Sequence, residues 1–387
     1  MPRVLHIITG LGVGGAETLL AAMVLHPALS QFSHSIISLL DEGHFGRILR
    51  DRGIELSCLH ISRKRPSLLS LRALREQIKA ASPDLVHCWM YHPALMHGLV
   101  CVTLPSTPVV WGLHHSTNDT RTVSKRTLGV VKATRALANF TPDRIVCCSY
   151  STQRHHSEIG FPSRKLQVIL NGVDLTVFRK DIAARNRLRA EFGFPENAFV
   201  VGHIGRFDPQ KDHPTFIRAS GMLGRQLPNA RFLMCGINVD EDNQILLEEI
   251  DRAELRDRFN LLGQRTDIAD VMNALDAFVV SSSYGEALPV ALLEAMSSEV
   301  ISIATDVGDC RAVIGDDTRV VPIGHADLLF EAMLRVASAS PAAQRGMREA
   351  GVTRIREMYT IESMVRQYAE LYEGLIRSSA TGSGNHF

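Results

Sequence analysis

Short apolar runs that break at a small or glycine-bearing turn and then become amphipathic recur along the whole chain. That rhythm leaves few folds open. Strands joined by crossovers of a dozen or more residues pair in parallel, and a parallel sheet is covered on both faces. The first series is "VLHIIT" (4–9), "SHSIISLL" (33–40), "LVHCWM" (85–90), "PVVWGLH" (108–114) and "RIVCCS" (144–149), with helix-like stretches such as "SLLSLRALREQIKAA" (67–81) between. At "LQVILNGVDLTVF" (166–178) the rhythm resets. Asn171-Gly172 marks a turn and a charged helix is expected at 181–192. A second series follows: "FVVGHIGRF" (199–207), "RFLMCGI" (231–237), "RFNLLG" (258–263), "AFVVSSS" (277–283), "VISIATD" (300–306) and "RVVPIG" (319–324). The expectation is α/β: two Rossmann-like, doubly wound domains facing a central cleft, with a hinge near 171–180. Ligands of such sheets sit beyond the carboxyl ends of the strands, so that cleft is the expected site.

Composition narrows the function classes. A net charge of +1 gives no electrostatic footprint for nucleic acid. No apolar run approaches the ~20 residues of a membrane span. "MPRVLHIITG" does not read as a signal peptide. Seven cysteines without a C-x-x-C suggest reduced thiols and a cytoplasmic protein, with Cys147-Cys148 a buried strand pair. The tail "SSATGSGNHF" (378–387) is small and polar and is expected to be disordered.

Several strand-end turns carry chemistry. In "HIITGLGVGGAETLL", Gly10, Gly12 and Gly15 fit the dinucleotide string G-x-G-x-x-G. An NAD(P)-dependent oxidoreductase using the Gly10–Gly15 loop would need an acidic residue ending the second strand. The nearest, Asp41, is too far along, and the second half goes unexplained. In "HIGRFDPQK" (203–211), Arg206 offers a planar fork of donors and Lys211 a point charge, a pair suited to polyphosphate or to a solvated turn. In "SSSYGEALPVALLEAM" (281–296), Pro289 predicts a helix over 289–297. Glu286 then precedes a helix start that attracts anions, and Glu294 lies about 7–8 Å further along the helix. A nucleotide sugar fits that order: sugar on Glu286, diphosphate at the loop and helix start, ribose on Glu294. His114 and His115 lie just past a strand, where a histidine can bond a sugar hydroxyl or phosphate or relay a proton. His92, His97 and His155-His156 lack metal-ligand spacing; "DED" (240–242) matches a metal-binding D-x-D string, but it lies in a polar stretch after the 231–237 run where such short acidic strings are common, so no metal site is expected. The segment 121–138 carries Arg121, Lys125, Arg126, Lys132 and Arg135 without an acid, and Ser62-Arg63-Lys64-Arg65 adds charge. It suits either an anionic membrane surface or a packed helix with a solvated basic face.

"GGAE" (14–17), "NGVD" (171–174), "GRFDPQK" (205–211), "EALPVALLE" (286–294) and "TDVGDCRAVI" (305–314), in this order, resemble the retaining nucleotide-sugar glycosyltransferases of family four, with the GT-B fold. The resemblance implies domains of 1–172, completed by helices at 361–378 crossing back, and 173–360, with a flexible tail at 379–387. It implies transfer from a nucleotide-diphosphate sugar to a lipid-linked or polysaccharide-type acceptor, with no cofactor or metal, at a cytoplasmic or peripheral membrane location. It assigns Gly14 and Gly15 to the donor phosphate and His114 to the donor sugar. Arg206 and Lys211 take the diphosphate, Glu286 with the Ala287 and Leu288 amides the sugar and phosphate, and Glu294 the ribose. Ala287 and Asp309 stand where the family usually has glycine. A non-catalytic nucleotide-sugar-binding protein is the remaining alternative.

Overall fold

The computed structural model describes residues 1–12, 14–61, 68–114 and 124–382. The chain divides into two compact units, Met1–Asn171 with Ile361–Phe387, and Gly172–Thr360.

The first unit holds seven strands: β1 (Arg3–Ile8), β2 (Ser33–Ser38), β3 (Glu55–Cys58), β4 (Leu85–Trp89), β5 (Val109–Leu113), β6 (Arg144–Cys147) and β7 (Leu166–Val168). All ladders are parallel, in the order β3-β2-β1-β4-β5-β6-β7. β4 and β5 are buried at every position, as a sheet covered on both faces requires. The two-residue period splits β1: Val4 and Ile8 join one core with Leu20 and Trp89, and Leu5 and Ile7 join the other with Trp111. The helix Ile361–Gly382 closes the first of these cores with Val365, Tyr368 and Tyr372. Its regular turns run through residue 382, so 378–382 is helix where the sequence suggests a disordered tail, and 383–387 lie outside the described residues. The reason is ordinary helix propagation: Ser378 and Thr381 bond back to the carbonyls of Gly374 and Arg377.

The second unit holds β8 (Phe199–Ile204), β9 (Ala230–Cys235), β10 (Phe259–Leu261), β11 (Ala277–Val280), β12 (Ile301–Thr305) and β13 (Val320–Val321), ordered β10-β9-β8-β11-β12-β13. In each sheet the order reverses direction after the opening strand, between β1 and β4 and between β8 and β11. Loops leaving strands at such a switch point splay apart and leave room for a ligand. The expected charged helix is Ile182–Glu191, capped by Asp181 through Ala184 N at 2.9 Å.

Candidate functional site

In the second unit the exits of two paired strands meet. Ala277 and Phe278 of β11 pair with Val201 and Gly202 of β8. After β8 the chain turns at Asp208, whose carboxylate accepts from Gln210 N at 2.9 Å. Asp212 follows with φ +46° and caps the helix His213–Gln226 through Thr215 N at 3.2 Å. The exit of β11 is laced onto this turn. Ser281 Oγ donates to Lys211 O at 2.8 Å, and Ser283 N to Gln210 O at 2.9 Å. Gly205 makes room for the lysine: a Cβ there would lie 3.2 Å from Lys211 Cε.

Lys211 Nζ donates to Glu286 Oε1 at 2.6 Å, and Ser282 Oγ donates to the same oxygen at 2.8 Å. Burial alone would raise the Glu286 carboxyl. The charge and hydrogen bond of Lys211, then Ser282 and Arg206, outweigh it and hold the group below its ordinary range. Arg206 is mostly exposed and is held at 3.3 Å by both Asp208 and Gln210. Glu286 leads into the helix Val290–Ser297, which starts one residue later than Pro289 suggests because that proline takes the N-cap.

Ala287 and Leu288 are buried between these parts. Ala287 O accepts from Asp309 N at 2.9 Å. Gly308, at φ +58°, presses against the same backbone: a Cβ there would lie 2.5 Å from Glu286 O and 2.6 Å from Ala287 O. The 306–309 loop therefore buttresses Glu286. Asp309 contributes to this contact through its backbone N–H, a group that glycine also supplies. Glu294 sits mid-helix, and its carboxyl has no hydrogen-bond or ion-pair partner among the described residues. Burial pushes it up to about 7.

In the first unit, Gly14 caps the helix Gly15–Val24. The Glu17 carboxylate occupies the place a Gly14 side chain would need, and burial raises its pKa. Nothing lies within 4 Å of a Cβ built on Gly15, so no described neighbour demands that glycine. His114 follows β5 and stacks on Trp89, ring centroids 4.9 Å apart and planes 9° apart. Burial pushes it down to about 4, with the nearby Asn171 side chain opposing the shift, so the ring is neutral at neutral pH. Both ring nitrogens, like Asn171 Oδ1, are buried without a partner among the described residues. His115 lies outside those residues.

The basic segment is the helix Lys125–Leu137, with 121–123 and 62–65 outside the described residues. Val130, Val131 and Leu137 pack into the core, which leaves a face carrying Lys125, Arg126, Lys132 and Arg135. Among the described residues no helix is long and apolar enough to cross a membrane. Among them, no group of three or more histidine, cysteine or acidic side chains is placed to hold a metal ion. Asp240 of the "DED" string accepts from Asp242 N at 3.2 Å, and Glu241 pairs with Arg256. All seven cysteines are free, and Cys147 and Cys148 are buried. Ser282, Gly205, Asn171 and Trp89 were not singled out as site residues. Each of the first three has a sequence trace, Gly205 and Asn171 as the opening residues of "GRFDPQK" and "NGVD" and Ser282 as a hydroxyl four residues before Glu286.

Residues 13–177 match glycosyltransferase family 4, and residues 184–352 match the glycosyl transferases group 1. The chain belongs to the family-four glycosyltransferases. This glycosyltransferase is 26% identical over 272 residues to the UDP-Gal:alpha-D-GlcNAc-diphosphoundecaprenol alpha-1,3-galactosyltransferase of Escherichia coli, covering 69% of this chain and 70% of that one. It is 25% identical over 360 residues to the putative glycosyltransferase EpsF of Bacillus subtilis, covering 90% and 91%. Its fold is that of Anabaena HepE, solved in complex with UDP, at a TM-score of 0.84, 20% identity and coverage of 96% and 100%. The two parallel α/β units are thus those of a GT-B glycosyltransferase. The oxidoreductase and non-catalytic alternatives gain no support from these matches. Asp41, the acid the former would need, is exposed.

Proposed function

We propose that this glycosyltransferase moves a sugar from a UDP-sugar to a lipid-linked or glycan acceptor, with retention at the anomeric carbon and without a metal ion. The observation that carries the reading is the pairing of Lys211 with Glu286 beside Arg206 and the start of the helix Val290–Ser297. A fixed carboxylate suits sugar hydroxyls, while two cations and a helix start suit a departing diphosphate. Glu294 takes the ribose hydroxyls, which supply hydrogen bonds to a half-buried carboxyl that has none among the described residues. The Gly14–Gly15 turn takes donor phosphate and neutral His114 the donor sugar, on the family resemblance. The bond from the anomeric carbon to the diphosphate oxygen breaks, and the acceptor oxygen bonds that carbon on the same face. The acceptor proton leaves with the diphosphate. UDP is favoured by the HepE complex and by the Escherichia coli relative, whose donor is UDP-Gal. That relative's diphosphoundecaprenol acceptor favours a lipid-linked one here, and the exposed basic face of Lys125–Leu137 suits an anionic membrane surface through charge alone.

The test is turnover with UDP-, GDP- and ADP-sugars and a lipid-diphosphate-linked N-acetylglucosamine acceptor, with EDTA present. UDP release with an α-configured product from an α-configured donor is expected. Absence of nucleoside diphosphate release from every pairing overturns the catalytic reading, and an inverted product overturns retention.

A further inference from the structure

Under the first unit's sheet end lies a connected set of buried aromatic and imidazole groups. Trp89 Nε1 donates to His6 Nδ1 at 3.2 Å. An indole N–H can only donate, so His6 Nδ1 accepts. Neutral His6 then carries its proton on Nε2 and donates to His34 Nδ1 at 3.0 Å. Burial, then His34 and His87, hold His6 far below its ordinary range, which keeps it in that form. The indole plane is therefore pinned at its edge by a chain whose direction its own donor dictates.

Two imidazoles stack on that plane: His114, and His87 at 4.5 Å and 29°. His87 Nδ1 lies 2.7 Å from the hydroxyl of Tyr372, on the helix Ile361–Gly382. Gly112 leaves both rings room, since a Cβ there would lie 2.8 Å from His87 Nε2 and 3.0 Å from His114 Nε2. The residue after Trp89 is strained. Met90 has φ +73° and ψ 178°, a region glycine alone tolerates well, and its N–H is held by Gly112 O at 2.8 Å. Such strain persists only where its surroundings over-determine the conformation, and it clusters at functional sites. His114, by contrast, has no partner of good hydrogen-bond geometry at either ring nitrogen among the described residues, its polar neighbour being the Asn171 side chain. Its close, nearly parallel contact is the stack on the pinned indole.

We propose that Trp89 is a positioning residue for His114, its plane fixed by the His6–His34 hydrogen-bond chain and backed by the His87–Tyr372 pair. The proposal rests on the role given to His114 above.

The test is a double-mutant cycle on the full chain, read as kcat, donor KM, UDP affinity and unfolding midpoint. His114→Ala is expected to lower kcat strongly. Trp89→Leu is expected to lower kcat ten- to a hundredfold, the loss a misplacement of about 1 Å produces. Donor KM and UDP affinity should stay within about twofold. Trp89→Phe, which keeps a plane and loses the N–H, should recover most of the rate. In the His114→Ala background Trp89→Leu should cost nothing further, because the group it serves is gone. Additive losses overturn the proposal, as does a kcat loss in Trp89→Leu matched by Trp89→Phe and explained by the unfolded fraction. Should Trp89→Leu fail to fold, Trp89→Phe carries the cycle, and its smaller kcat loss must likewise vanish in the His114→Ala background. A wild-type rate in His114→Ala instead removes the role assigned to His114, and the positioning claim with it, while leaving the Lys211–Glu286 reading standing.

Discussion

Lys211 Nζ stands 2.6 Å from Glu286 Oε1, although 75 residues separate them in the chain. Their strands are neighbours, and Ser281 and Ser283 tie the two exits together. Lys211→Ala leaves Glu286 buried with its counter-charge gone. Its carboxyl is then expected to rise, with a loss of about 3 kcal/mol of stability in urea unfolding. Transfer, followed as UDP release, is expected to fall at least a hundredfold. Near-wild-type transfer would remove this pair from the site.

Glu294 sets a pH dependence of known sign. Its folded-state value is about 7 against an ordinary 4.5. Below 4.5 both states are protonated; from 4.5 to 7 only the unfolded chain ionises, so stability falls as pH rises. The full effect is about 3 kcal/mol at 1.36 kcal/mol per unit. Glu294→Gln should raise the melting midpoint by a few degrees at pH 8, leave it unchanged at pH 4, and weaken UDP binding. Equal shifts at both pH values would show that the charge is not the cause.

Acid acts through the buried histidines. His34, His97, His114 and His213 are each pushed down to about 4 by burial. The unfolded chain binds these protons first, near 6.5, so stability is full above 6.5 and falls as pH drops toward 4. Urea midpoints at pH 7, 5.5 and 4.5 should fall progressively. A flat profile from 7 to 5 would contradict this burial.

Gly308→Ala places a methyl against Glu286 O and Ala287 O at a positive φ. The buttress must shift, and Glu286 with it. UDP affinity by calorimetry is expected to weaken about tenfold or more, with a lower melting midpoint. Unchanged affinity would mean that the loop's position does not govern donor binding.

The parallel α/β architecture was legible because buried strands read as unbroken apolar runs, as in "PVVWGLH". β3 and β7 were not, because each is a short edge strand, "ELSC" and "LQV", whose partial exposure interrupts the apolar signal. Most runs overstated their strands at the carboxyl end: "AFVVSSS" stops at Val280, and its serines become the lacing of the Glu286 loop. Charged candidates announced themselves by type and spacing. Their supports did not. Gly205 matters for what it leaves empty, and Trp89 looks like any core aromatic until its indole N–H is seen bonded to His6.

The helix Ile361–Gly382 is synthesised after Gly172–Thr360, yet it belongs to the core begun by β1. On the ribosome the second unit can therefore complete its sheet while the first still waits for Val365, Tyr368 and Tyr372. Until Tyr372 emerges, His87 has no hydroxyl to bond. A chain stalled or cleaved before residue 361 would hold a finished second unit and an open first one, with apolar surface for a chaperone to cover.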